Sequence, residues 1–114
     1  MTLTLNDPRQ PNNYRSAERL LNGRDSRKIA NNTTLRRDGD EFVVRLHYTD
    51  IVRYHADDTV TLNSGGWQTV TTKQRMNLLT NLRVYQRDYT WYVVEAGASW
   101  GDAMEYGDRD RYSN

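Results

Sequence analysis

His47 and His55 are the only histidines in this chain of 114 residues, and each opens a short tripeptide, His47-Tyr48-Thr49 and His55-Ala56-Asp57. Paired imidazoles can pass protons to and from a phosphodiester, so a two-histidine phosphodiesterase is the first chemistry to weigh. Only one of the tripeptides carries a hydroxyl in the third position, and the two lie close together rather than on separate repeats. The competing reading is a pair of exposed or half-buried sheet histidines. Asp50 could orient His47 in the first reading and is a turn residue bonding its own backbone in the second. The chain reads on these grounds as a non-catalytic protein.

A second candidate chemistry is anion binding. Ser64-Gly65-Gly66-Trp67 allows close approach of backbone N–H groups to a phosphate, and a helix start follows it, itself favourable to anions. Lys73 and Arg75 fall in the expected first turn, where their charge opposes the helix dipole unless an anion offsets it. No Walker spacing is present. Arg24, Arg27 and Lys28 form a basic cluster of the kind that binds phosphate backbones through charge. Arg45, His47 and Asn63 project from the polar face of the central strands, and Trp67 could stack on a base. The plainer alternatives are a hairpin-to-helix turn and a solvated loop. A third set, Trp100, Tyr106 and Tyr112, gives the C-terminal segment the aromatic character of protein-binding hot spots.

Composition narrows the classes. A chain of this size fits one domain with a modest core. It contains no cysteine, which removes disulfides and thiolate metal sites. With two histidines a structural zinc site is disfavoured, and neither a metal nor another cofactor is expected. No run of residues approaches a membrane span, and the N-terminal residues lack a signal peptide's apolar stretch, so the cytosol is the expected compartment. The net charge of +1 conceals a split. Residues 15–37 hold seven basic groups against two acidic ones, whereas residues 95–114 hold five acidic against two basic. A basic patch and an acidic tail follow.

The elements that position these residues can be read in order. Residues 1–11 contain both prolines and read as an extended arm. Asn12 or Asn13 caps a short helix with Tyr14, Ala17, Leu20 and Leu21 on one face, and Asn22-Gly23 ends it. A polar bridge, Arg24 to Lys28, leads to a first strand over 33–37 and a hairpin turn at Asp38 to Glu41. The strand over 42–48 alternates, with Phe42, Val44, Leu46 and Tyr48 on one face and Val43, Arg45 and His47 on the other. A bend at Thr49-Asp50, a strand over 51–55, a turn at Ala56 to Asp58 and a strand over 59–63 follow. Val60 and Leu62 point inward there, and the glycines then permit a sharp reversal. Thr71 and Gln74 match a capping box for a helix that buries Met76, Leu79 and Leu82 and ends near Asn81. A hairpin pairs 83–87 with 90–95. Residues 97–114 show no period and read as a loosely ordered acidic, aromatic tail.

The resulting order, α-β-β-β-β-α-β-β, predicts a small α+β domain over 12–96 with a largely antiparallel sheet and two short helices packed on one face. The strings GRDSRKIANNTTLRR, VRLHYTDIVRYHAD, TVTLNSGGWQTVTTKQRMN and RVYQRDYTWYVV resemble a small domain recurrent in tailed-phage and metagenomic viral proteins. The most distinctive piece is Leu62 to Asn77. The resemblance covers about Gly23 to Val94 and carries no catalytic or binding residue. What it implies is a phage-encoded accessory protein acting in the cytoplasm of a bacterial host.

Taken together, the expectation is a non-catalytic binder of nucleic acid or a nucleotide that interferes with host defence. Its contacts would be Arg24, Arg27, Lys28, Arg45, His47, Asn63, Trp67, Lys73 and Arg75. The alternative is a protein-binding inhibitor of a host defence effector, of the anti-CRISPR kind, docking through Trp100, Tyr106 and Tyr112. A homo-oligomer is left open.

Overall fold

A computed structural model describes residues 10–114; residues 1–9 of the arm expected over 1–11 lie outside the described residues. Helix α1 spans Tyr14–Leu21. Asn13 is its N-cap: the Asn13 side chain accepts from the Ser16 amide, and the Ser16 hydroxyl accepts from the Asn13 amide. Asn22, in the left-handed region, closes it. Ala17 and Leu21 are buried, and Tyr14 packs against Phe42.

Six strands form the larger sheet: β1 (Ser26–Ala30), β2 (Thr33–Asp38), β3 (Glu41–Leu46), β4 (Thr49–Tyr54), β5 (Thr59–Leu62) and, from the end of the chain, β9 (Arg111–Ser113). Their spatial order is β1-β2-β3-β4-β5-β9, and every neighbouring pair is antiparallel. Helix α2 (Val70–Leu79) leads into a three-stranded antiparallel sheet of β6 (Arg83–Arg87), β7 (Thr90–Val94) and β8 (Met104–Glu105), with a short 3-10 turn at Trp100–Asp102. The fold is thus a small α+β domain with antiparallel sheets.

The core is built from Leu21, Ile29, Leu35, Phe42, Val44, Ile51, Val52, Tyr54, Leu62, Met76 and Leu79 with their neighbours. Tyr54 is fully buried, and its hydroxyl donates to the Leu79 carbonyl at 2.7 Å, joining the sheet to the last turn of α2. Burial drives the Tyr54 phenol far above its ordinary pKa. The Asn77 amide bonds the N–H and C=O of Val84 at 2.6 and 2.8 Å, fastening α2 to β6.

Five elements differ from the sequence reading. The polar bridge is half strand: β1 begins at Ser26, because Ile29 and Ala30 have a core to bury into. Strand β3 stops at Leu46, and the turn is His47-Tyr48 rather than Thr49-Asp50, so Tyr48 is 93% exposed instead of inward. Val43 is buried on the nominally outer face, flanked there by its cross-strand partners Arg36 and Arg53. Helix α2 starts two residues early, capped by the Thr69 hydroxyl accepting from the Thr72 amide. Finally, residues 97–114 are not a loose tail. β8 extends one sheet, β9 closes the edge of the other, and Tyr106 and Tyr112 enter the core.

Candidate functional site

The chain folds its most distinctive string into one wall of a groove of about 490 Å³. The β3–β4 turn supplies His47, Tyr48 and Thr49, and the loop after β5 supplies Ser64 and Trp67. The first turn of α2 supplies Thr69, Thr71 and Thr72, while Leu46 and Ile51 form an apolar floor. No lysine, arginine, aspartate or glutamate is among these lining residues. Tyr48 and Trp67 stand 93% and 69% exposed at its rim.

Two backbone features create this shape. His47 carries a φ of 55°, a conformation that costs a side chain with a Cβ about 1–2 kcal/mol, and its amide donates to the Asn32 carbonyl at 2.8 Å. Such conformations, when held by their surroundings, concentrate at functional positions. Gly65 has a φ of 63°, and a Cβ there would lie 2.7 Å from the Thr49 hydroxyl oxygen. Close approach of the loop to β4 therefore requires glycine at this point.

The anion expected in the glycine turn is present, and it belongs to the chain itself. Asp108 accepts from the Ser64 amide at 2.9 Å, from the Ser64 hydroxyl at 2.8 Å and from the Tyr106 hydroxyl at 2.7 Å. Burial raises its pKa, but these bonds and one from the Gly66 amide outweigh burial and leave the carboxyl below its usual value. The Tyr106 phenol is pushed up, first by burial and then by the adjoining Asp108 charge.

Of the expected cations, Arg45 is similarly engaged, together with other arginines of the sheet face. Asp50 receives Arg36 at 2.8 and 2.9 Å and Arg45 at 3.2 Å, and the Arg36 bond is the first cause of its lowered pKa. Arg53 bridges Asp38 and Glu41 at 2.8 and 3.0 Å. Arg111 holds Asp57, whose pKa falls to about 2, chiefly through its bond from the Thr59 hydroxyl. The outer face of the larger sheet is therefore a network of internal ion pairs.

A family model described as the Kyanoviridae Gp96 protein matches residues 14–111, most of the chain. The chain belongs to that phage family. No curated protein and no solved structure matches it. Membership in the family agrees with the phage resemblance read from Gly23 to Val94 and extends it to the C-terminal segment.

In this phage protein the expected site residues do not meet in one place. His47 and Trp67 share the groove. Arg45 lies on the outer sheet face with Asp50, and Asn63 accepts from the Gly65 amide at 3.0 Å. Lys73 sits 5.9 Å from the centre of the Trp91 ring. Arg75 is buried on α2, beyond the first turn, and its Nε–H finds no acceptor among the described residues. Lys28 is exposed on β1, whereas Arg24 and Arg27 line a separate pocket. Of the aromatic tail residues, Trp100 is exposed against Tyr85, but Tyr106 and Tyr112 are core residues and offer no surface to a partner.

The two histidines are also apart. His47 precedes β4 and His55 follows it, about 20 Å away at the rise of an extended strand. His55 is buried, with Nδ1 bonded to Glu41 and Nε2 2.7 Å from the Thr61 hydroxyl. One phosphodiester cannot reach both rings. Among the described residues no helix is long and apolar enough to cross a membrane.

Sequence reasoning missed Tyr48, Thr49 and Asp108. For Tyr48 the signal was the His47-Tyr48-Thr49-Asp50 run, which could equally place the turn two residues earlier. For Asp108 there was none, since its partner Ser64 lies 44 residues away.

Proposed function

We propose that this phage protein is a non-catalytic binding module that docks a host protein through the groove between the β3–β4 turn and the start of α2. The observation that carries the reading is an uncharged groove with Tyr48, His47 and Trp67 held open at its rim. Interface cores are depleted of charge and enriched in tyrosine and tryptophan, and such rings dominate binding energy when they enter a partner's pocket. A strained turn that spends conformational energy to display two rings supports the same reading. The bacterial cytoplasm is the proposed compartment and interference with a host effector the proposed consequence.

A phosphate-bearing partner fits this groove less well. Its lining carries no cation, and the nearby Ser64 and Gly66 amides already hold Asp108. Nucleic-acid affinity depends on unpaired cations facing phosphate.

The test is affinity capture from phage-infected host cells with the wild-type protein and a Tyr48→Ala/Trp67→Ala variant. A captured partner is then purified and titrated. The expected result is a host protein whose binding weakens at least about thirtyfold in the variant, as for loss of a hot-spot residue. Equal affinity for a folded variant overturns the proposal. So does a wild-type protein that retains only nucleic acid removable by nuclease.

A further inference from the structure

We propose that a second pocket, at the C-terminal end of α1, binds a small phosphate-bearing molecule of nucleotide size. This inference is independent of the groove. Arg19, Arg24 and Arg27 line one concavity of about 400 Å³ together with Gln10, Ser16 and Asn22. Arg27 donates to the Leu20 carbonyl at 3.1 Å and so closes the last turn of α1. Neither it nor Arg19 nor Arg24 has a carboxylate partner among the described residues, in contrast to the paired arginines of the sheet face.

Charge arithmetic makes the cluster informative. Three guanidinium groups bring three positive charges to one end of a helix whose dipole offers about half a negative charge. One arginine is explained as a helix cap; the other two are not. Guanidinium forks match phosphate oxygens in pairs, which a chloride ion or a lone water cannot exploit.

The ligand is larger than inorganic phosphate. The volume falls within the range of small-molecule sites, about 300–1,000 Å³. Gln10 supplies a second, chemically different demand. Its Nε2 donates to the Leu78 carbonyl at 2.9 Å, while its Oε1 is buried with no hydrogen-bond partner among the described residues. A buried acceptor left unpaired is costly, and a ligand that brings a hydroxyl or amino donor beside its phosphate satisfies it. A nucleotide carries a sugar hydroxyl or base amino donor set apart from its phosphates; pyrophosphate carries neither.

The experiment is calorimetric titration of the full chain at low ionic strength with pyrophosphate, with ADP and with a short single-stranded oligonucleotide. The proteins are wild type, Arg19→Ala/Arg24→Ala, Gln10→Leu and Trp67→Ala. Both substituted arginines are exposed, so folding is preserved. The expected result is binding of pyrophosphate and tighter binding of ADP. Affinity for both should fall about tenfold or more in the arginine variant, as for lost charged hydrogen bonds. Gln10→Leu should weaken ADP alone, and Trp67→Ala should leave both unchanged. The proposal fails if neither ligand binds, if the arginine variant binds equally well, or if Trp67→Ala abolishes binding. Oligonucleotide binding without ADP binding also overturns it, in favour of a nucleic-acid backbone.

Discussion

The Asp108 carboxylate is bonded to both the backbone amide and the hydroxyl of Ser64, at 2.9 and 2.8 Å. This pair ties the end of the chain to the loop that forms one wall of the groove, and Tyr106 supports it from the same segment. Asp108→Ala should therefore loosen the groove as well as destabilise the fold. The expected cost is about 1–2 kcal/mol by urea denaturation, a charged hydrogen-bond value discounted for solvent access. Faster amide exchange at Gly65 and Gly66 should accompany it. Unchanged exchange there would show that the loop holds its shape without the carboxylate.

Acid should weaken the fold over a defined range. Asp50, Asp57 and Asp108 have lowered folded-state pKa values, and so does Glu41, where bonds from His55 and Arg53 outweigh the larger opposing effect of burial. Their stabilisation is complete above the ordinary carboxylate range and is lost as pH falls through the folded values. The urea midpoint should thus decline from pH about 4.5, the ordinary value for Glu41, towards about 2, the folded value for Asp57. A midpoint constant across that window would mean that these pairs contribute nothing.

The two loop glycines should respond differently to alanine. Gly66 has a φ of 86° with open space around a Cβ, so Gly66→Ala should cost only the conformational strain, about 1 kcal/mol. Gly65→Ala adds a collision with Thr49 and should cost about 2 kcal/mol or more. Equal losses in thermal denaturation would contradict the close approach.

At the groove, stability and binding should separate. His47→Gly relieves a left-handed φ and should stabilise the protein by up to about 1 kcal/mol, yet weaken the proposed docking by removing a rim ring. Trp67→Ala should change stability by no more than about 0.5 kcal/mol, because the ring is largely exposed. A strongly destabilised Trp67→Ala protein would make the ring structural.

Removal of residues 104–114 should abolish folding rather than trim a tail. It deletes β8, β9, Asp108 and the buried Tyr106 and Tyr112. Each buried aromatic accounts for about 3–5 kcal/mol, and a small domain has about 5–15 kcal/mol in total. Circular dichroism of the shortened chain checks this directly; a cooperative thermal transition near that of the full chain would refute it.

Local rules made much of the architecture legible. Asn12 or Asn13 signals a helix start, Asn22-Gly23 its end, and Asp38 to Glu41 a hairpin, because each is settled by atoms a few residues apart. The inward placement of Val60 and Leu62 follows from a period of two. A turn shifted by two residues changes its whole end of the sheet: the sequence places Tyr48 in the core and Asp50 in a bend, whereas Asp50, on β4, anchors Arg36 of β2 and Arg45 of β3.

The antiparallel α+β character, the absence of thiol chemistry and the phage affiliation were all determined by the amino-acid sequence alone. Tertiary structure decided which polar groups remain available to a ligand. Arg45, His55 and the Ser64 and Gly66 amides are engaged by Asp50, Glu41 and Asp108, whereas Tyr48 and Trp67 stand exposed and the arginines beside α1 have no carboxylate partner among the described residues. Strands of two and three residues such as β8 and β9 have no period to detect, and charge partners such as Asp57 and Arg111 lie 54 residues apart. Pairing of that kind is set by which surfaces the folded core brings together.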